Sequence, residues 1–530
     1  MAVDITDSVP VRRLAAIGNN EFWYEDPNVA AGTMVELVAA RDDIDTSDQL
    51  ICFEYYYKVM VVNGANLKIA DFINTKLTIT ALTTAPTRGA IVTQVTSGAT
   101  MVVDFVNTAK TEIYGKTTSG TFTTTAGHTL SGGSMAPTTR VPSAVAEATT
   151  LPHWYDWTVY PDAASGSLPS KAYLGCSWRG RAVLSGDPDD PNQVYMSRQA
   201  DHTDLAYVAN DVQSPVSGGA DPNVPGKGGD IVRALIPRGK DYLIVGCATS
   251  MWAYAGDPAD GGSYGELDDT VGIFGADSWC FDEDENLYFW GTGGIYVVNR
   301  GLNAVENLTK VSLPGLIGDE AADPTTHRIT MAYDRKRFGV LICITKLDDG
   351  TNSNYFYSLS EETRGFYPES YPEECGAFST FYYDANDVTL RDLLVGCKDG
   401  YIRKFDEADK DDDIGNIDEA ISSYVTLGPL KLASENKEGT VHSIAGYTTG
   451  GDAGGTEDDS DDIVYKVFVG RSSAEAAEKA RANTSPKISG TLQTPARPRG
   501  RTKKQKARGT YTSIRLENTT AAETMSFDRL

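Results

Sequence analysis

One unit recurs along most of this chain: a short apolar strand, a Gly-centred turn, then a second strand rich in aromatics. The copies read KVMVVNGANLKIADF from Lys58, RAVLSGDPDDPNQVYMS from Arg181, DYLIVGCATSMWAYAG from Asp241, NLYFWGTGGIYVVNRG from Asn286, FGVLICITKLDDGTNSNYFYSLS from Phe338 and DLLVGCKDGYIRKFD from Asp392. Gly175-Cys176, Gly246-Cys247 and Gly396-Cys397 each end an apolar run just before a turn. Outside one interruption the copies recur at roughly 45–60 residues, the period of propeller blades. A hairpin cannot bury both of its faces alone, so such copies must stack on one another, and sheet repeats of this length favour a radial arrangement. The expectation is an all-β chain forming a β-propeller. Six hairpins are visible and chain ends commonly complete a blade, which brackets the count at six to eight.

The 27 tyrosines among 530 residues suit half-buried strands, and 41% hydrophobic residues suffice for a large core. Lys+Arg 47 against Asp+Glu 73 gives a net charge of -26, which argues against an outer surface built to grip nucleic acid or anionic lipid. That charge either serves solubility alone or lines a passage through which a polyanion must slide without sticking. Seven cysteines with no CxxC pair and no tight cluster indicate neither a disulfide framework nor a zinc site; they read as small buried hydrophobes in thiol form. MAVDITDSVPVRRLAAIGNN has no apolar h-region, and no run approaches ~18 apolar residues. A cytoplasmically made chain without a membrane-spanning segment is expected.

Composition divides the chain into four parts. Residues 1–72 hold the N-terminal segment and the first hairpin. Residues 73–147, rich in Thr, Ala, Gly and Ser, alternate β-branched residues with turns and read as an inserted small β domain with a thin core. Residues 148–430 form the main propeller body. Residues 431–530 form a C-terminal extension of strands, a short helix and a basic run. In it, Ser472 and Glu475 make a capping box ahead of AEAAEKARA. Ile514 and Leu516, then Met525 and Phe527, alternate as strands expected to pair back onto the body and close it.

Few patterns carry reaction chemistry. His128, His153, His202, His327 and His442 make no ligand spacing, and neither GxSxG nor a Walker A loop is present. Asp409, Asp411 and Asp413 have the DxDxD spacing of a calcium loop, but Ile414 stands where that loop needs Gly and Ala420 where it needs the bidentate Glu. An acidic connecting loop fits better. No catalytic residue, metal set or cofactor is expected. Arg497, Arg499, Arg501, Lys503, Lys504, Lys506 and Arg508 form a basic run with no interleaved aromatic residue. This favours contact with a protein partner over a single-strand platform.

The stretches WRGRAVLSGDPDDPNQVYMSRQADHTDL from Trp178, IVRALIPRGKDYLIVGCATSMWAYAGDP from Ile231 and DSWCFDEDENLYFWGTGGIYVVNRG from Asp277 resemble the tail hub, or nozzle, proteins of short-tailed double-stranded DNA phages. These are also called packaged-DNA stabilisation proteins. SGAT at Ser97–Thr100 is similar to small β modules inserted in phage tail proteins. The resemblance implies a non-enzymatic virion structural protein, located in the virion tail. It implies a ring of six copies that extends the DNA channel below the portal and the head-to-tail adaptor, retains the packaged genome and permits its ejection. Tail fibre, spike or plug proteins would be further partners, and double-stranded DNA would pass without sequence-specific binding. On that reading Asp409, Asp411, Asp412, Asp413, Glu457, Asp458, Asp459, Asp461 and Asp462 are candidates for the channel wall. The basic run would lie at a subunit or adaptor contact.

Two other classes compete. A carbohydrate-binding or glycan-degrading propeller would use Tyr/Trp-rich blade faces and acidic loops on a host surface polysaccharide, and its mechanism would need two carboxylates at a fixed separation. A cellular scaffold propeller is weakened by the lack of WD or Kelch signatures.

Overall fold

The computed structural model describes residues 1–5, 11–26, 29, 32–149, 151–219, 230–302, 304–405, 411–414, 417–434, 437–448, 463–492, 499–501, 506–520 and 527–529. It is an all-β chain in two compact units, one of residues 1–369 and 375–404, the other of residues 370–374 and 405–530. No helix among the described residues is long and apolar enough to cross a membrane.

The first unit is a β-propeller of seven antiparallel sheets with a six-stranded sheet inserted in the second. Blade 1 covers residues 2–36. Blade 2 covers residues 51–71 and takes its outermost strand, His153–Asp156, from beyond the insertion; blades 3 to 7 cover residues 174–219, 232–268, 279–307, 327–369 and 377–404. The first strands of neighbouring sheets lie side by side, as Ile51–Tyr55, Leu174–Trp178 and Val232–Arg238 do, and so do Trp279–Phe281, His327–Asp334 and Ala377–Tyr383. First strands are therefore innermost. Second strands are covered on both faces by adjacent blades: every residue of Lys58–Asn63 and of Leu287–Gly291 is buried. This explains their near-continuous apolar runs. Outermost strands such as Ser263–Asp268 are largely open to solvent and correspondingly polar.

Successive blades share apolar clusters. Phe22 and Tyr24 meet Val59 and Val61, Trp178 and Val194 meet Leu243 and Val245, Ile244 and Met251 meet Leu287 and Phe289, and Trp290 and Ile295 meet Val340 and Ile342. The circle closes between blades 7 and 1, where Tyr383 and Ala385 pack on Ala2 and Leu14. There the Tyr383 hydroxyl donates to Glu25 at 2.5 Å and the Arg12 amide donates to Asn386 at 2.6 Å. Among the described residues no strand crosses this seam; blades 1 and 7 are separate sheets.

The second unit corrects the expectation that the C-terminal strands close the body. Tyr511–Asn518, with Ile514 and Leu516 buried, pairs with Ser423–Lys431 on one side and Val464–Gly470 on the other. Those strands offer the same alternation within the same segment of chain, so they complete a local four-stranded sheet. Phe527 lies in Phe527–Arg529, paired with Ala445–Thr448; Met525 lies outside the described residues. The boundary between the units falls at residue 404/405, ahead of the expected 430/431. Helix Ser473–Arg481 buries Ala476 and Ala480. The Ser472 hydroxyl accepts from the Glu475 amide at 3.1 Å, while the Glu475 carboxylate reaches past Ser472 to the Arg471 amide.

Candidate functional site

The acidic and basic candidates all fall in the stretch 405–530 of the second unit. Asp411, Asp412 and Asp413 lie in the strand Asp411–Ile414, paired with Ile417–Ala420 in a two-stranded ribbon where Asp412 faces Glu419 and Asp413 faces Asp418. A paired strand replaces the calcium-type loop. Like charges directly opposed destabilise a ribbon, and burial, with Glu419 and Asp411 adding to it, pushes the Asp412 carboxyl up to about 6. Arg499 and Arg501 sit in a strand paired with Ala445–Thr448. Lys506 is exposed just ahead of the strand Ala507–Gly509, in which Arg508 is exposed opposite Thr440. Asp409, Glu457, Asp458, Asp459, Asp461, Asp462, Arg497, Lys503 and Lys504 lie outside the described residues.

A buried polar constellation that the sequence reading does not include lies at the junction between the inserted sheet and blades 2 and 3. Chain direction creates it. Asp71 ends the third strand of blade 2, and its Oδ1 accepts from the Ile73 and Asn74 amides, a turn that sends the chain into the insertion. On the return, a His153 ring nitrogen sits 2.9 Å from the Asn74 carbonyl and the Tyr155 hydroxyl donates to Asp71. The rings of Phe105 and Tyr155 stack at 4.8 Å between insertion and blade.

Asp104 of the insertion lies at the centre. Its Oδ2 is 2.6 Å from the ammonium of Lys58 in blade 2, and its Oδ1 accepts from the Arg88 guanidinium at 2.8 Å. Asn74 donates to the same carboxylate at 2.9 Å, and Arg88 also approaches Asp201 of blade 3 at 3.5 Å. Lys58 is only 3% exposed, so this is a desolvated ion pair. Burial would raise the Asp104 carboxyl, but the Lys58 and Arg88 charges outweigh it and hold the group well below the usual carboxylate range. Burial likewise opposes the Lys58 charge, and Asp104 and Asp71 outweigh it and raise that group.

Beside them His202 is fully buried, with its ring against Tyr55 and Trp157 and neither ring nitrogen hydrogen-bonded. Burial and the neighbouring Lys58 charge push its imidazole down to about 3. A cavity of about 250 Å³ opens alongside, lined by Arg88 and Ser134 from the insertion and by Tyr160, Asp162, Asp201 and Asp204 from the propeller. The Tyr160 hydroxyl, Asp162 and Asp201 are already engaged, with Pro86, Ala85 and Thr203 respectively. The arrangement can hold two bodies rigidly together.

Two junction residues carried a signal in the sequence. Lys58 opens an otherwise apolar strand and Asp104 interrupts the apolar alternation MVVDFV; charges in runs destined for burial require partners.

Neither a protein-family model nor a curated protein matches this chain. Among solved structures it is similar to Kluyveromyces lactis Hsv2, at 10% identity over 68% of this chain and 84% of that one with a TM-score of 0.27. It is also similar to the extracellular domain of a putative hybrid two component system, BT4673, from B. thetaiotaomicron, at 10% identity over 78% and 52% with a TM-score of 0.24. A third is PorZ of Porphyromonas gingivalis, at 9% identity over 71% and 56% with a TM-score of 0.18. Overlaps this low carry no argument about function.

Proposed function

We propose that this propeller is a virion structural protein, a tail hub subunit that works as one member of a closed ring and does no chemistry. The observation that carries the reading is the placement of the stretches that resemble tail hubs. Residues 178–205 supply the second and third strands of blade 3, residues 231–258 three strands of blade 4, and residues 277–301 three strands of blade 5. The resemblance thus follows three consecutive blades of one scaffold in order. Supporting it, the insertion is anchored to that scaffold through the buried Lys58–Asp104 pair. A net charge of -26 suits a ring through which DNA, with a charge every ~1.7 Å of axis, must slide without being trapped.

A single subunit encloses no DNA, so the reading requires a head-to-tail ring. Imaging of the particle that carries the protein is the test. Six copies around the tail axis are expected; a protein absent from that axis sinks the proposal. So does release of reducing ends when the purified protein is incubated with host polysaccharide, which would favour the glycan-degrading alternative.

A further inference from the structure

The cysteines are dispersed in the sequence, but blades 6 and 7 bring three of them near one another. Cys397 ends the second strand of blade 7, opposite Ala377 of the first, and the Lys398 amide donates to the Gly376 carbonyl at 3.0 Å. Cys375 ends the 3-10 turn Glu373–Cys375 just ahead of that first strand, so this bond joins the residue after Cys375 to the residue after Cys397. The Cys375 thiol lies within hydrogen-bonding reach of the Cys397 thiol. The Arg403 guanidinium, held by both oxygens of Asp399 at 2.8 and 2.7 Å, reaches Cys397 and faces Cys375. Cys375 is half-buried, so a small oxidant can reach it, whereas Cys397 is buried. The third cysteine, Cys343, is buried in blade 6. Among the described residues no three His, Cys, Asp or Glu side chains converge as a metal set, so the arrangement is that of a dithiol.

We infer that Cys375 and Cys397 are an oxidation site whose product is a disulfide stapling the chain entering blade 7 to that blade's second strand. With a peroxide as oxidant, the Cys375 sulfur attacks the O–O bond, becomes a sulfenic acid and releases one water. The Cys397 sulfur then attacks the sulfenic sulfur; the S–S bond forms, the S–O bond breaks, and the leaving hydroxide takes the Cys397 proton as a second water. Two thiols lose two electrons and one peroxide gains them. The cationic Arg403 favours the thiolate form in which such sulfurs react, while burial pushes the Cys397 thiol up. The half-buried Cys375 is therefore oxidised first and the buried Cys397 resolves it. The closed loop of about 20 residues removes freedom mainly from the unfolded chain.

The full-length protein, reduced and then treated with hydrogen peroxide, should lose about 2 Da, corresponding to two hydrogens. Peptide mapping should show Cys375 joined to Cys397, reversibly on addition of dithiothreitol. Its melting temperature should rise by about 3 °C or more, and Cys375→Ser should melt like reduced wild type and show no rise. Cys375 accumulating bound oxygen without a cross-link, both thiols remaining open to alkylation after peroxide, or a link mapped to Cys343 and Cys397 would each overturn the assignment. The mass measurement needs no variant, so a substitution that fails to fold leaves the test intact.

Discussion

Two residues of blade 2 occupy backbone positions that side chains disfavour. Tyr56 and Tyr57, with φ of 45° and 64°, form the two-residue turn between the strands Ile51–Tyr55 and Lys58–Asn63, where Asn-Gly is the usual choice. Tyr57→Gly should relieve the left-handed strain and raise stability by about 1 kcal/mol, read from denaturant unfolding; an unchanged or lower midpoint would show that the Tyr57 side chain contributes more than its backbone costs. At His202 the sign follows from linkage. Its folded-state value of about 3 lies below the ordinary ~6.5, so between these values the unfolded chain binds a proton that the folded chain does not. Stability is therefore lost as pH falls through that window, by up to about 1.4 kcal/mol per pH unit from this group. Tyr55, Trp157, Lys58, Asp104 and Arg88 surround it, and His202→Phe should flatten the unfolding free energy between pH 6 and 4 relative to wild type. Equal slopes for the two proteins would place the acid sensitivity elsewhere.

At the scale of elements, the inserted sheet has its own core of Leu77, Val92, Met101, Val103 and Ile113 but is not energetically separate from blade 2. Asp104→Leu keeps the insertion in place but leaves the Lys58 ammonium, 3% exposed, without its ion-pair partner. Breaking a buried pair on one side costs about 3–5 kcal/mol. The variant should accordingly be destabilised by that order, and adding Lys58→Met should restore most of the loss in thermal melts. An Asp104→Leu variant as stable as wild type, with Lys58 still present, would contradict this role for the pair. The composition of the insertion shows where it begins and ends; its dependence on the propeller resides in a contact between residues 58 and 104, which no local pattern encodes.

For the whole molecule, closure rests on side chains where blades 7 and 1 meet. Glu25, only 2% exposed, accepts from the Tyr383 hydroxyl and from the Leu14 and Gly32 amides. Tyr383→Phe removes one of three donors and should cost about 1–2 kcal/mol, measured as an earlier unfolding midpoint; a cost below a few tenths would mean that apolar packing alone holds the seam. Since the described strands of the seven sheets end by Lys404, a chain truncated there should keep the β-sheet circular dichroism and cooperative melting of a folded propeller. Loss of cooperative melting on that truncation would show that the second unit is required after all.

Hairpins of blades 2 to 7 were legible because a strand covered on both faces must be apolar and a two-residue turn needs its own residue types, both local demands. Blade 1 carries the same signature in RRLAAIGNNEFWYE, an apolar strand, a Gly-Asn-Asn turn and an aromatic strand, and the repeat reading missed it. The Ser472 cap was equally local. Which strand Tyr511–Asn518 would join was not, because an alternating strand fits any partner of matching register and only the folded chain selects the nearest. Neither was the meeting of Lys58 with Asp104, or of Cys375 with Cys397. The sequence by itself determined an all-β repeat architecture, through periodicity and turn chemistry. The tertiary structure decided the number of blades, the closing seam and the buried polar junction, because each depends on residues far apart in the chain whose pairing is paid for only once the whole circle has formed.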